Sequence, residues 1–200
     1  PYSFVSILGA LQQAEILRES VLEELENSLD WVQARVRALG PAVPSRDNPA
    51  KKLALALDER IPVIYGSRGR LFPVARRWAN QFCENGKGLA YSGELPEMNH
   101  NEVVGWEHPP EAVRLLTPIF LRDQDDHPRI QVRLEVTREL LSSRVDPVLE
   151  FWSSGENWME RFWSLMLLGD FASLYKALLN REDPSSIDAI EQLKMRLKQS

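Results

Sequence analysis

The sequence predicts an α/β layered fold built on a mainly parallel sheet, and two observations lead there. The run Ile61-Pro62-Val63-Ile64-Tyr65-Gly66-Ser67 is almost wholly apolar and ends in a Gly-Ser turn before a helical segment. A strand buried on both faces reads this way. Further short apolar runs then alternate with segments of helical period, which favours crossover connections and parallel neighbours. In open sheets of this class, ligands collect at the carboxyl ends of the strands.

Taken in order, residues 3–39 have the period of two helices. Phe4, Ile7, Leu8 and Leu11 recur at three and four residues, as do Val21, Leu22, Leu25, Leu29, Val32 and Val36. Gly40-Pro41-Ala42-Val43-Pro44 stops the second, because proline lacks the N–H a helix needs. Asn48 as N-cap and Pro49 in the first turn open a short helix whose apolar face is Ala50, Leu53, Ala54 and Leu57. The strand at 61–67 leads to a helix over 71–81, then to candidate strands at 89–92, 114–121 and 148–152. Residues 102–106 form a short apolar helix or turn, and 123–128 a polar turn. Residues 130–141 fit a helix on Val132, Val136 and Leu140, or a strand on Ile130, Val132, Leu134 and Val136. A long helix covers 158–179, and Asp183-Pro184-Ser185-Ser186 caps a last one over 187–197.

Composition bounds the function. With 44% hydrophobic and 26% charged residues in 200, the chain reads as a globular protein rather than a disordered one. Its net charge of -5 argues against nucleic acid or an anionic membrane surface as partner. No apolar run in the sequence approaches the roughly 18 residues needed to span a bilayer. Glu19, Glu23, Glu24 and Glu26 read as a solvated helix face. The single cysteine, Cys83, offers no internal disulfide and no metal-ligand set, which points to a cytoplasmic setting. A chain that opens on Pro1, with Tyr2-Ser3-Phe4-Val5 already reading as element interior, is expected to be part of a longer protein.

Residues 80–102 hold several carboxylates, several carboxamides and one imidazole between apolar elements. That is the chemistry of proton handling on a hydroxylated substrate, with Glu84 and His100 as the working pair. Either residue alone reads as an ordinary surface side chain; their shared segment after a strand-helix unit gives them weight. Gly66-Ser67-Arg68-Gly69-Arg70 has the look of a phosphate loop but lacks the lysine and spacing of a P-loop, so helix capping is the favoured reading. His108 and His127 read as loop residues, and no residue spacing forms a metal site. The six tryptophans, Trp106, Trp158 and Trp163 among them, read as packing.

Three segments carry a family resemblance: Ile61 to Ser67; Ala75-Arg76-Arg77-Trp78-Ala79-Asn80-Gln81-Phe82-Cys83-Glu84-Asn85; and Leu95-Pro96-Glu97-Met98-Asn99-His100-Asn101-Glu102-Val103-Val104-Gly105-Trp106. Together with Leu168-Gly169-Asp170, Asp183-Pro184 and Ile190-Glu191-Gln192-Leu193-Lys194, they resemble the bifunctional phosphoglucose/phosphomannose isomerase family. The resemblance spans about residues 48–197 and implies the second of two sugar-isomerase (SIS) domains, a three-layer α/β/α sandwich. It implies an inter-domain helical segment at 1–47 and a C-terminal SIS domain at 48–200. The first domain, with the Ser/Thr loop that grips the sugar phosphate, and an arginine just before the inter-domain helices would lie outside this chain. Without them the chain alone is expected to be inactive.

By the same resemblance, Glu84 matches the catalytic base and His100 the ring-opening histidine. Lys194 matches the active-site lysine of the last helix, with Lys198 as its alternative, and Ser185 or Ser186 the small hydroxyl residue near C2 of the sugar. Cys83 stands where relatives carry a polar residue. The implied reaction interconverts glucose 6-phosphate and mannose 6-phosphate with fructose 6-phosphate through a cis-enediol, without metal or cofactor. The implied assembly is a homodimer in which His100 reaches the partner protomer's site. The competing readings are a non-catalytic sugar-phosphate-binding SIS regulatory module and an interaction scaffold using the N-terminal helices.

Overall fold

Four short strands pair side by side in the computed structural model, which describes residues 2–17 and 20–199. They are β1 (Ile61–Ser67), β2 (Tyr91–Leu95), β3 (Leu116–Arg122) and β4 (Leu149–Trp152), in the order β2-β1-β3-β4, and every pairing is parallel. The helices are α1 (Tyr2–Gln13), α2 (Ser20–Asn27), α3 (Leu29–Leu39), α4 (Pro49–Ala56), α5 (Phe72–Glu84), α6 (Pro110–Val113), α7 (Pro128–Ser142), α8 (Trp158–Leu179) and α9 (Asp188–Leu197).

The sheet separates two cores because side chains alternate along a strand. Ile64 of β1 and Ile119 and Leu121 of β3 point to one face, where they meet Trp78 and Phe82 of α5, Leu53 of α4, and Leu165 and Ala172 of α8. Val63, Tyr65 and Phe120 point to the other, where they meet Leu95, Met98, Trp106 and Leu134 of α7. The result is the three-layer α/β/α arrangement that the alternating pattern predicts.

The helix-or-strand ambiguity at 130–141 resolves as helix. Leu134, Thr137 and Leu141 face the core, while Val132, Val136 and Leu140 are exposed, so the residues that suggested a helix are not the ones it buries. Asn48 caps α4 as expected and does more: its amide donates to the carbonyls of Leu39 and Gly40, and its oxygen accepts from the N–H groups of Ala50 and Lys51. This fully buried amide joins the end of α3 to the start of α4 with its donors and acceptor in use.

Several expectations are corrected. The described residues of the N-terminal segment hold three helices rather than two, since α2 ends at Asn27 and α3 restarts at Leu29. Glu23 and Glu26 are solvated as expected, Glu24 is half-buried, and Glu19 lies outside the described residues, as does Pro1. α5 extends three residues further than the apolar period indicated, so Glu84 is its last residue rather than a loop residue. The second strand is 91–95 rather than 89–92. The N-cap of α9 is Ile187, not Asp183, whose carboxylate instead accepts from the Ser185 N–H and hydroxyl. His127 caps α7, its Nδ1 accepting from the Arg129 N–H. α8 is long and apolar enough, by those two measures, to cross a membrane. Here it is a core helix, packed on α3, α4 and α5 and carrying Glu160, Arg161, Asp170 and Lys176.

The seam between α5 and α8 sets where α5 ends. The Trp78 indole N–H donates to the Leu165 carbonyl at 2.8 Å, and a Cβ added at Gly169 would come within 2.3 Å of that same nitrogen. Arg77 grips Asp170 with two hydrogen bonds of 3.0 and 2.8 Å, and Asn85 donates to Ser173 at 3.2 Å. Gly169→Ala is therefore expected to destabilise the protein by about 1–3 kcal/mol through overpacking, despite a helix-propensity gain of about 1 kcal/mol. Urea unfolding of the two proteins checks this; equal midpoints would show that the Trp78 contact can relax.

Candidate active site

The topology separates the two residues that the sequence places in one polar segment. β1 and β2 are parallel, so α5 between them must run back against the strand direction. Its C-terminus, with Glu84, therefore lies at the amino-terminal edge of the sheet. β2 then carries the chain across to the carboxyl edge, about 13 Å for its five residues at roughly 3.3 Å per step. His100 follows there. Glu84 and His100 line separate clefts. The expectation that both sit where this fold class collects ligands is corrected: only His100 is at the carboxyl edge.

Glu84 lies in a cleft of about 310 Å³ between the end of α5 and the start of α9, bordered by Cys83, Lys87, Glu182, Ser186, Ile187 and Ile190. Among the described residues its carboxylate makes no ion pair or hydrogen bond, while its backbone carbonyl accepts from the Lys87 ammonium at 2.5 Å. Cys83 is exposed beside it. Lys194 does not border the cleft. It lies four residues beyond Ile190, on the same face of α9 one turn along, whereas Lys198 is already the C-cap. Ser186 borders the cleft, and Ser185 turns its hydroxyl to Asp183 at 2.6 Å.

His100 is held by its neighbours. Met98 is fully buried in the second core. The Asn99 amide donates to the Thr137 hydroxyl of α7 at 2.6 Å, and the Asn101 oxygen accepts from the Glu102 N–H. Glu102 in turn accepts from the buried Tyr65 hydroxyl at 2.9 Å. Burial, and then the charge of Glu102, raise the Tyr65 pKa, so the phenol stays protonated and keeps donating. Met98, Asn99 and Glu102 thus fasten the run to the domain on both sides of His100, whose imidazole is left exposed in a cleft of about 220 Å³ with Glu97 and Arg133.

The usual crevice of this fold, at the carboxyl ends of β1 and β3, is occupied by the protein itself. The Ser67 hydroxyl donates to Asp126 at 2.5 Å and its oxygen faces the Leu71 N–H at 3.4 Å; the capping expectation is corrected, since the N-cap of α5 is Leu71 and no side chain caps that helix. Arg70 pairs with Asp123 and Asp125, as does Arg161 from α8, and Arg68 pairs with Glu94. Burial raises the pKa of Asp126. Burial acts the same way on Asp123, but hydrogen bonds from Ser153 and the Asp125 N–H, with the charges of Arg161 and Arg70, outweigh it and hold that carboxyl below its ordinary value. Among the described residues, no group of three or more His, Cys, Asp or Glu is arranged to hold a metal ion. Lys87 is the cleft residue the sequence reading missed; its signal was an ammonium three residues after Glu84, in a Gly-Lys-Gly turn.

Comparison with known proteins gives the family. The chain is 36% identical over 196 residues to the bifunctional phosphoglucose/phosphomannose isomerase of Caldicellulosiruptor bescii, covering 98% of this chain and 58% of that protein. It is 32% identical over 177 residues to the protein of that name from Aquifex aeolicus, covering 88% and 52%. The chain thus spans a little over half the length of these relatives. Among solved structures, a glucose-6-phosphate isomerase like protein from Thermus thermophilus superposes with a TM-score of 0.67 at 30% identity, over 81% of this chain and 54% of that one. The C-terminal domain of glucosamine-fructose-6-phosphate aminotransferase from Francisella tularensis shares the fold at 12% identity, with a TM-score of 0.61 over 86% and 49%. Residues 46–197 match the family described as bacterial phospho-glucose isomerase C-terminal SIS domain, and the chain belongs to that family.

Proposed function

We propose that this chain is the base-carrying, C-terminal half of an aldose-ketose isomerase that interconverts glucose 6-phosphate and mannose 6-phosphate with fructose 6-phosphate. Residues 1–47 would be its inter-domain helical segment and 48–200 the SIS domain. The observation that carries the reading is the unpaired Glu84 carboxylate, set on a rigid helix end inside a cleft. A binding module needs a grip on phosphate; an unpaired carboxylate repels one.

In this reading His100 first helps open the sugar ring, its imidazole moving the ring-oxygen and hydroxyl protons near neutral pH. Glu84 then takes the proton from C2 of the open aldose. The C–H electron pair becomes the C1–C2 double bond, the C1 oxygen gains a proton, and a cis-enediol results. Glu84 returns its proton to C1 while the C2 hydroxyl loses one, which leaves the ketose. Confining one carboxylate between C1 and C2 lets it serve both steps. Lys194, reaching back along α9, would stabilise negative charge on the oxygens; the position of Ile190 favours it over Lys198. The glucose and mannose epimers share the enediol, so accepting both requires room at C2, and Ser186 is better placed there than Ser185.

The separation of Glu84 from His100 by the width of the sheet supports a site completed across a homodimer, with the partner's histidine beside each base. Phosphate would be gripped by a domain outside this chain.

Two measurements in the complete enzyme test this. Glu84→Gln is expected to lower kcat by about 10²–10⁴, the usual contribution of a general base, with the fold unchanged by circular dichroism; near-normal turnover sinks the assignment. Mixing Glu84→Gln with His100→Asn protomers should restore activity, because a mixed dimer has one site with both groups intact. With random pairing about half the dimers are mixed, which gives about a quarter of wild-type activity. Mixtures no more active than the separate variants would show that His100 does not act across a dimer.

A further inference from the structure

The reaction above leaves the Lys87 ammonium, the cation bordering the Glu84 cleft, without a task. The Lys87 ammonium donates to the carbonyls of Glu84 at 2.5 Å, of Pro184 at 3.4 Å, and of Ser186. An ammonium has three donors and no acceptor, so these three carbonyls occupy it and leave nothing to hold a substrate phosphate. One carbonyl belongs to the residue that carries the base. The other two belong to the turn that leads into α9.

The backbone agrees with a specific role. Lys87 has a φ of 54°, the left-handed region that side-chain-bearing residues adopt at a cost. Glycine stands on each side of it, at 86 and 88, yet a lysine occupies the strained position. Tertiary bonds hold the turn from both sides: the Asn180 amide at the end of α8 donates to the Gly86 carbonyl at 2.7 Å, and Asn85 reaches Ser173. By contrast, every residue from Ile187 to Gln199 is exposed, so α9 has little burial of its own to fix its place.

We propose that Lys87 is a positioning residue, a staple that holds the entry to α9 over Glu84 and so sets the width of the cleft and the reach of Lys194. This rests on Glu84 being the base, but its first test does not. Hydrogen exchange is measured on this 200-residue chain without substrate, for Lys87→Met, which keeps the side-chain length without donors, and for Lys87→Gly, which also relieves the backbone. In both, amides of residues 186–197 are expected to exchange about tenfold faster or more, as for loss of hydrogen bonds to a charged group, while α5 and the strands keep their protection. Lys87→Arg, with donors retained, should keep part of the protection. Unchanged exchange over 186–197 in both the Met and Gly variants overturns the staple whatever Glu84→Gln does. In the complete enzyme, Lys87→Met should lower kcat by about tenfold or more with a smaller change in KM, since the phosphate is gripped elsewhere. A loosened α9 with wild-type kcat would overturn the positioning role.

Discussion

The approach of Trp78 to Gly169 is the constraint on which the site depends. A fully buried indole lies against a helix position that has no side chain, and its N–H finds its partner in the carbonyl of Leu165 one turn earlier. A tryptophan buries more surface than any other residue, but its N–H must be satisfied. Here one contact does both, which is possible only where the α8 backbone is bare. It fixes α5 in register with α8, and the Arg77–Asp170 and Asn85–Ser173 bonds continue that register to the end of the helix. Glu84 is placed by this packing rather than by any bond to its own carboxylate. In the proposed reaction the base must stay free to exchange a proton and cannot be held through the group that reacts, so rigidity has to come from the helix beneath it.

His100 is placed by the opposite device. It does not sit on a long helix of its own, and hydrogen bonds made by residues on either side take over: Asn99 donates to Thr137 of α7, and Glu102 accepts from Tyr65. Tyr65 belongs to the central part of the sheet, so the loop is anchored to the most rigid layer of the domain. Burial makes this bond durable, because a hydroxyl released inside the core would lose free energy. Glu84 and His100 thus come from different structural logics on opposite sheet edges, which explains why each is exposed and neither is near the other in one chain.

Much of the fold was legible in the sequence. The run 61–67 has too few polar residues for a half-exposed strand, and the Asn48-Pro49 cap was readable because its chemistry is local. The exposed stripe of α7 misled because Val132, Val136 and Leu140 have a helical period whether or not they face a core; period reveals the element and not its partner. The two-helix reading of the N-terminal segment failed for a similar reason, as an apolar stripe continues across the break near Ser28. For the site, the polar residues of 80–102 were identified, but the residues themselves did not display their arrangement; the family resemblance alone implied that Glu84 and His100 of one chain serve different sites. Chain proximity suggested one pocket, whereas a five-residue parallel strand between them guarantees separation. Lys87 was passed over because its role is to bond backbone carbonyls, which no residue pattern displays.

The crevice at the carboxyl ends of β1 and β3 explains why the amino-terminal edge is free to matter. In this fold that crevice ordinarily collects anions, using a turn after β1 and the start of a helix. Gly66-Ser67-Arg68-Gly69-Arg70 has the backbone for it, but Asp126 takes the Ser67 hydroxyl, and Asp123 and Asp125 take Arg70 and Arg161. A phosphate entering there would meet three carboxylates and would have to disturb ion pairs of which one, Arg161–Asp123, is buried and costly to leave half-made. The same pairs tie the turn after β3 to α8, so the protein uses a ligand crevice as a structural joint. With that joint closed, an open cleft with an unpaired acid is found at the far end of α5, where the packing of Trp78 against Gly169 sets it.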